Sequence, residues 1–313
     1  MQIDLDTIRR RLFENAAVRS RILRDYGVTL QPAAPEEFAD AIVGQFDQAT
    51  APRPLDQDLT NDDVFRAAVK ALASNSRSWA TFLRSEPRLR ELLSGYSPAE
   101  SHEAFNRGTL RLEDVKECLP GQSSTADATA IRKWALLLTR TDLYFHGIRQ
   151  LGMDFHNFGI EKLGLQIPES RLPLLLLGFL AGTITRRTPQ VVRAHRERLL
   201  LNGNDLPGMG YILASEFFRN LHFGAFKPDR HVQRLFNLWC PDARAQIEPE
   251  VGKLQQLLGR RASDLGAYLG YSLIGLEASP PNVPISYTDN LVWLLGAYVE
   301  RKGQESKVVY MVC

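Results

Sequence analysis

The sequence predicts an all-α fold, and three observations lead to this prediction. Apolar residues recur at intervals of three and four along most of the chain's 313 residues, the spacing that places them on one face of a helix. No segment alternates apolar and polar residues over the length of a half-buried strand. No internal repeat is present. A chain of this length holds either one large domain or two smaller ones.

The helical pattern begins near the N-terminus. Residues 3–26 are expected to form one amphipathic helix, and residues 36–46 a second helix after a break. Thr60 is placed as the N-cap of a third helix, with two aspartates in its first turn.

Farther along, the sequence predicts a polar, turn-rich region over residues 95–130, where we expect mobility. Helices are expected over residues 131–148, 257–276 and 290–301. The tail, residues 307–311, is β-prone but short.

Charge is distributed unevenly along a chain whose net charge is only +2. Residues 36–63 are acidic, and residues 184–234 are basic. Because neutralised phosphates supply most of the non-specific affinity for DNA, the basic stretch fits a duplex footprint. A solvated, arginine-rich helix face is the alternative.

The three cysteines, Cys118, Cys240 and Cys313, lie far apart in the chain. Their number and spacing predict neither a disulfide framework nor a zinc site. The N-terminus is charged rather than apolar, so we expect no signal peptide. The most apolar run, residues 172–184, is too short to span a bilayer and is expected to be a buried helix. These features predict a cytoplasmic protein without a membrane partner.

The turn Leu206-Pro207-Gly208-Met209-Gly210 separates two helical patterns. Two glycines one residue apart allow positive φ and bring backbone N–H groups to the surface. The second helix begins directly after them, so its unpaired N–H groups and the positive end of its dipole point out of the same turn. Such an arrangement binds a phosphate through the backbone alone, although many helix–helix turns contain glycine for steric reasons only.

Further along, the sequence reads Lys227-Pro228-Asp229-Arg230-His231-Val232, in which Asp229 is placed to cap a helix. Together the two segments resemble the helix-hairpin-helix DNA glycosylase superfamily, whose signature is LPGVG-x-x-x-A followed by D-x-H-V-x-R. The chain supplies Leu206, Pro207, Gly208, Gly210 and Ala214, then Asp229, His231, Val232 and Arg234.

The resemblance implies that Asp229 is the catalytic residue and that double-stranded DNA is the partner. It assigns contacts with the DNA backbone to Leu206, Gly208, Gly210, Arg230 and His231. Members that also cut the strand carry a lysine two residues after the second glycine, where this chain has Ile212. An isoleucine has no amine to attack the sugar or form a Schiff base. The resemblance therefore implies a monofunctional glycosylase that uses water as the nucleophile and leaves an abasic site.

The resemblance implies no cofactor. The iron–sulfur cluster of some members needs four closely spaced cysteines, which the chain lacks. A monovalent cation held by loop carbonyls near Gly208 and Gly210 is the one ion that the resemblance suggests, and no other metal is expected.

The resemblance further implies a monomer of two helical lobes with a DNA-binding cleft. One lobe is expected to comprise residues 1–63 and 235–313, and the other residues 64–234. The second lobe would carry the helix-hairpin-helix, at about residues 191–222, and Asp229, which would face the cleft.

A pocket for an extruded base needs aromatic faces for stacking and polar groups for the edge of the base. The candidate pocket residues are Trp79, Tyr144, His146, Ile212 and Glu216. Ile212 and Glu216 lie one turn apart on one helix face. The alternative is core packing for the aromatic residues and a solvent-exposed position for Glu216.

Two classes of function remain open at this point. The first is a DNA glycosylase, acting either in base excision repair or in defence against foreign DNA with modified bases. The second is a non-catalytic DNA-binding module that keeps the hairpin as a grip. Asp229 at the catalytic spacing favours the enzyme, because a protein that only binds DNA has no use for a carboxylate near phosphates. The sequence does not identify the base.

Overall fold

The computed structural model describes residues 1–46, 58–75, 77, 79–164, 166, 168, 171–180, 190, 206–257 and 263–312. Regular structure in these residues is almost entirely helical, which confirms the all-α prediction. The exception is a pair of two-residue strands, β1 (Gln2–Ile3) and β2 (Met311–Val312). They pair antiparallel, so the β-prone tail finds its partner at the other end of the chain.

In chain order the helices are α1 (Leu5–Glu14), α2 (Ala16–Asp25), α3 (Pro35–Val43), α4 (Asn61–Ala73), α5 (Trp79–Leu92), α6 (Pro98–Arg107), α7 (Leu112–Cys118), α8 (Ser124–Thr139), α9 (Tyr144–Leu163), α10 (Leu172–Leu180), α11 (Tyr211–Asn220), α12 (Arg230–Trp239), α13 (Ala243–Leu257), α14 (Ser263–Ala278) and α15 (Ile285–Leu294). Short 3₁₀ turns occupy Gly44–Phe46 and Ser94–Tyr96, and a π-helix, Leu295–Val299, continues α15.

The chain divides into two compact units. Unit 1 comprises Met1–Pro52, Gly224–Gly252 and Ser263–Cys313, and unit 2 comprises Arg53–Phe223 and Lys253–Ala262. The boundary near the candidate site thus lies at residue 224 rather than after residue 234. Asp229 therefore belongs to unit 1, together with both ends of the chain.

The helix predicted over residues 3–26 is two helices. Asn15 ends α1 and caps α2, where its Oδ1 accepts a hydrogen bond of 3.1 Å from the N–H of Val18. An asparagine that bonds to the backbone in this way favours a helix start over a helix interior. The predicted N-cap at Thr60 is confirmed: Thr60 and Asp63 form a capping box at the start of α4.

The middle of the chain is more helical than predicted. Residues 95–130 contain α6, α7 and the start of α8, because several of their turn formers end or cap helices. Gly108, with φ of 74°, ends α6 in this way. The helix predicted over residues 131–148 is also wrong, since α8 ends at Thr139 and Leu143 has a left-handed φ of 45° before α9.

The core of unit 2 surrounds α11, the helix that follows the glycine turn. Helices α4 and α10 pack against it, and most of its side chains are buried. The ring of Phe217 lies 5.4 Å from that of Trp134 on α8, measured between centroids. The start of α11, and with it the turn, is therefore held by a packed aromatic core.

The core of unit 1 includes two helix groups. Helix α1 packs against α2, α3 and α15, and α12 packs against α14, α15 and the π-helix. Val232, Leu235 and Phe236 form the fully buried stripe of α12, at the helical spacing that the sequence predicts.

Cys118 is a buried free thiol, and burial raises its pKa. Cys240, at the end of α12, is disulfide-bonded, so the expectation of no disulfide is wrong there. The error arises because separation along the chain does not measure distance in the fold. In the part of the chain that the structure describes, no helix is long and apolar enough to cross a membrane.

Candidate functional site

Asp229 is the N-cap of α12, as the sequence predicts. Its Oδ1 accepts hydrogen bonds from the N–H groups of His231, at 2.8 Å, and Val232, at 3.1 Å. These two bonds satisfy donors that a helix start leaves unpaired, and they fix the carboxylate against the positive end of the helix dipole. No described residue donates a hydrogen bond to Oδ2. The carboxyl group is thus held by one oxygen while the other remains available.

His231 and Arg234, one turn apart on α12, both donate to the carbonyl oxygen of Gly296. The distances are 3.2 Å from His231 Nδ1, in the tautomer that protonates this nitrogen, and 3.0 Å from Arg234 Nη2. Gly296 lies in the π-helix, and a side chain there would stand 3.0 Å from His231 Cβ. Irregular helix turns of this kind are frequent at functional sites. Here the π-helix fixes the first turn of α12.

The pKa of His231 is lowered below its usual 6.5, chiefly because the ring is partly buried. The carboxylate of Asp229 acts in the opposite direction, while Arg230 and Arg234 add to the lowering. The ring is therefore biased toward the neutral form. Of the two residues predicted to contact DNA in this segment, Arg230 is exposed and His231 is half-buried.

The hairpin turn has the form that its sequence dictates. The N–H of Met209 donates to the carbonyl of Leu206 at 3.0 Å, so Pro207 and Gly208 are the central residues of a β-turn. Gly208 has φ of 77°, the positive value that a type II turn requires at this position. A Cβ there would lie 2.5 Å from the Cβ of Ala130 on α8. Glycine is needed at residue 208 both for the conformation and for this close approach.

Gly210 differs from Gly208. Its φ of −85° and ψ of −176° are an extended conformation open to any residue, so Gly210 does not use the positive φ that glycine allows. It is the N-cap of α11, it is exposed, and a Cβ there would meet nothing within 4 Å. The backbone at the start of α11 is therefore accessible to a ligand. The upstream helix of the predicted hairpin, from residue 191, lies outside the described residues.

Two carbonyl oxygens of the turn, where the resemblance suggests a monovalent cation, accept hydrogen bonds. The carbonyl of Leu206 accepts from Met209, and that of Pro207 accepts a hydrogen bond of 2.9 Å from the indole N–H of Trp134. Leu206 is buried, so its side chain packs in the core and does not itself contact DNA. We propose no role for a cation.

Glu216 is buried rather than solvent-exposed, so the alternative given above for this residue is wrong. Arg219 Nη1 donates a hydrogen bond of 2.8 Å to Glu216 Oε2. The side chain of Glu216 is 5% exposed and that of Arg219 is 4% exposed. A buried ion pair is retained only where its geometry is good, because the desolvation of both charges opposes it. Ile212, one turn earlier, is half-buried.

Trp79 and Tyr144 lie in the core of unit 2. The ring of Trp79 packs 4.8 Å from that of Phe82, and Tyr144 is fully buried with its ring 5.7 Å from that of Trp134. These are positions that core packing alone explains.

His146, another predicted pocket residue, lies on α9 at the surface. Its Nδ1 is 3.2 Å from Asp58 Oδ1 and 3.0 Å from Arg149 Nη2. The contacts described for Trp79, Tyr144 and His146 thus involve different partners.

A buried ion pair that the sequence did not indicate organises the polar segment before Trp79. Arg77 Nη2 lies 2.6 Å from Asp127 Oδ2, and each side chain is 3% exposed. The guanidinium also donates to the carbonyls of Leu72 and Pro120. An arginine among serines and asparagines is typical of a solvated turn, so no local signal distinguishes this one.

Comparisons with models of known protein families, with curated proteins and with solved structures found no match.

Proposed function

We propose that the protein is a monofunctional DNA glycosylase, which hydrolyses the N-glycosidic bond of a damaged or modified base extruded from duplex DNA. The observation that carries the proposal is the position of Asp229. Its carboxyl group caps α12 through Oδ1, and Oδ2 accepts no hydrogen bond from a described residue. Such a group is rigid and has one oxygen to offer a substrate.

Base removal passes through a sugar with oxocarbenium character, as in glycoside hydrolysis. A carboxylate beside the anomeric carbon stabilises this positive charge and orients or deprotonates the attacking water. Asp229 takes this role. Ile212 stands where strand-cutting enzymes carry a lysine, so water is the nucleophile and an abasic site is the product.

The turn at Gly208 and Gly210 supports the same proposal as a backbone grip. A Cβ at residue 210 would meet nothing within 4 Å, so the backbone at the start of α11 is accessible. The N–H groups at a helix start bind phosphate irrespective of base sequence. Arg230, exposed beside Asp229, carries a positive charge, which favours contact with the phosphates of DNA.

The test is a panel of duplexes carrying different damaged or modified bases, assayed for base release in single turnover. Asp229→Asn should abolish release, because an amide neither stabilises a cation nor takes a proton from water. Duplex affinity should be unchanged or higher, since a negative charge near phosphates is removed. Asparagine is as good an N-cap as aspartate, so the fold is preserved.

Asp4→Asn is the matched control. Asp4 caps α1 in the same way, with Oδ1 accepting a hydrogen bond of 3.0 Å from the N–H of Thr7, and it lies in the same unit. Its replacement should leave base release unchanged. If no duplex in the panel loses a base and Asp229→Asn binds as the wild type does, the non-catalytic DNA-binding module is the better account.

A further inference from the structure

The segment that leads to Asp229 has no regular secondary structure, yet its backbone is held in place at successive residues. Side chains from α12, α14 and α15 supply the contacts. Ser272 Oγ donates to the carbonyl of Phe226 at 2.9 Å, Asp289 Oδ2 accepts from the N–H of Lys227 at 2.9 Å, and Gln233 Nε2 donates to the carbonyl of Pro228 at 2.6 Å.

Asp289 is the charged member of this set and is 1% exposed. It lies in a run of buried polar residues, Ser286–Asn290, on α15. A carboxylate in a protein interior is unfavourable unless hydrogen bonds compensate for its lost hydration. The hydrogen bond from the N–H of Lys227 is one such bond, and it restrains the loop.

Among the backbone N–H groups upstream of Asp229, that of Lys227 is the nearest one that a side chain can hold. Pro228 has no N–H. The N–H of Asp229 is already bonded to the carbonyl of Lys227, at 2.9 Å. The N–H of Lys227 is thus the nearest upstream backbone donor that a side chain from elsewhere can hold. Gly275 on α14 adds to the restraint, because the ring of Phe226 lies where a side chain on residue 275 would be.

We propose that Asp289 is a positioning residue, which holds the backbone before Asp229 and so fixes the reactive carboxylate. The cap on α12 fixes Asp229 from its C-terminal side, and Asp289 fixes it from the N-terminal side. This inference rests on the proposed glycosylase function for its kinetic consequence, and on the loop geometry alone for its structural one.

The kinetic test compares Asp289→Ala, Asp289→Asn and Thr288→Val in single-turnover base release. Asp289→Ala should slow release by about 10- to 100-fold, the effect of a misplaced reacting group, without weakening duplex affinity. Asp289→Asn keeps an acceptor for the N–H of Lys227 and should restore most of the rate. Thr288→Val is the matched control, because Thr288 is fully buried on the same helix and its hydroxyl has no partner among the described residues. An asparagine variant as slow as the alanine variant would overturn the proposal, as would an alanine variant as fast as the wild type.

A second readout separates this inference from the proposed function. Exchange of the Lys227 amide hydrogen should accelerate in Asp289→Ala and stay slow in Asp289→Asn. Unchanged exchange in the alanine variant would overturn the positioning role whether or not the wild type releases a base. If the wild type releases no base but the exchange rates change as expected, the proposed function fails and the positioning of Asp229 stands. Asp289→Ser replaces the alanine variant if the latter does not fold, since a serine is too short to reach Lys227.

Discussion

The indole N–H of Trp134 donates a hydrogen bond of 2.9 Å to the carbonyl oxygen of Pro207, 73 residues away in the chain. Trp134 is fully buried, with the rings of Tyr144 and Phe217 beside it. This bond joins the hairpin turn to the core of unit 2 and helps to hold the turn in position.

Trp134→Phe should lower both the stability and the duplex affinity of the protein. It leaves the buried carbonyl of Pro207 without a donor, which costs about 1–3 kcal/mol in the free energy of unfolding. Urea unfolding and gel-shift titration measure the two effects. Phe82→Leu is the control, because Phe82 is a buried core residue of the same unit whose ring packs against Trp79 rather than against Trp134, and duplex affinity should survive it. A Trp134→Phe protein that is destabilised but binds duplexes normally would contradict the link between this bond and binding.

Alanine substitutions at the two glycines of the turn should affect different properties, stability for Gly208 and duplex affinity for Gly210. Gly208→Ala meets a left-handed φ, which costs roughly 1–2 kcal/mol, and a contact of 2.5 Å with Ala130, so the protein should be clearly less stable. Gly210→Ala should cost only the small difference between glycine and alanine as N-caps. It should instead weaken binding to all duplexes alike, because its methyl group stands at the open start of α11. Unchanged affinity of Gly210→Ala for undamaged DNA would show that the turn does not grip phosphate.

The wild type should leave abasic sites that break only in hot alkali, and borohydride should trap no covalent complex. Ile212→Lys is the positive control, since it places an amine where strand-cutting enzymes carry theirs and should give a trapped complex. Denaturing electrophoresis with a labelled duplex distinguishes the outcomes. Trapping by the wild type would mean that another lysine is the nucleophile, and Lys227→Ala would test the one nearest to Asp229.

His231 should make the protein less stable in mild acid. Its pKa is lowered in the fold, so the unfolded chain binds the proton more readily. The stability that neutral His231 contributes is therefore fully present above the pKa of the unfolded chain, about 6.5. It is lost as the pH falls through the lower pKa of the folded protein. Urea unfolding across this window measures it, with His231→Gln as the variant that should remove the pH dependence. Asp229→Asn should lower the pKa of His231 further, because the carboxylate opposes the lowering, and an NMR titration that moved upward would contradict this account.

Features set by neighbours in the sequence could be predicted. Asp229 and Thr60 were identified as N-caps because a cap bonds to backbone within three residues of itself. The positive φ at Gly208 follows from the Pro-Gly pair in the same way. The all-α class followed from periodicity alone.

Features set by contacts between distant segments could not be predicted. Asp289 holds Lys227 across 62 residues, and neither position carries a local signature of the pairing. The polar residues within Ser286–Asn290, inside an otherwise apolar helix, indicate buried hydrogen bonds. They do not indicate that Lys227 is the partner of Asp289. The sequence could not show whether Trp79 and Tyr144 line a base pocket, because aromatic residues are common both in such pockets and in protein cores. Both are buried.

The division of the chain sets an order of assembly. Unit 2 is formed mainly by one continuous stretch, Arg53–Phe223, whereas unit 1 needs three separate stretches. During synthesis the bulk of unit 2 is complete while β1 still lacks its partner β2, which lies at the opposite end of the chain. Contacts that close so long a loop form slowly. Helix α12 packs against α15, so the surroundings of Asp229 are completed only after α15 has been synthesised.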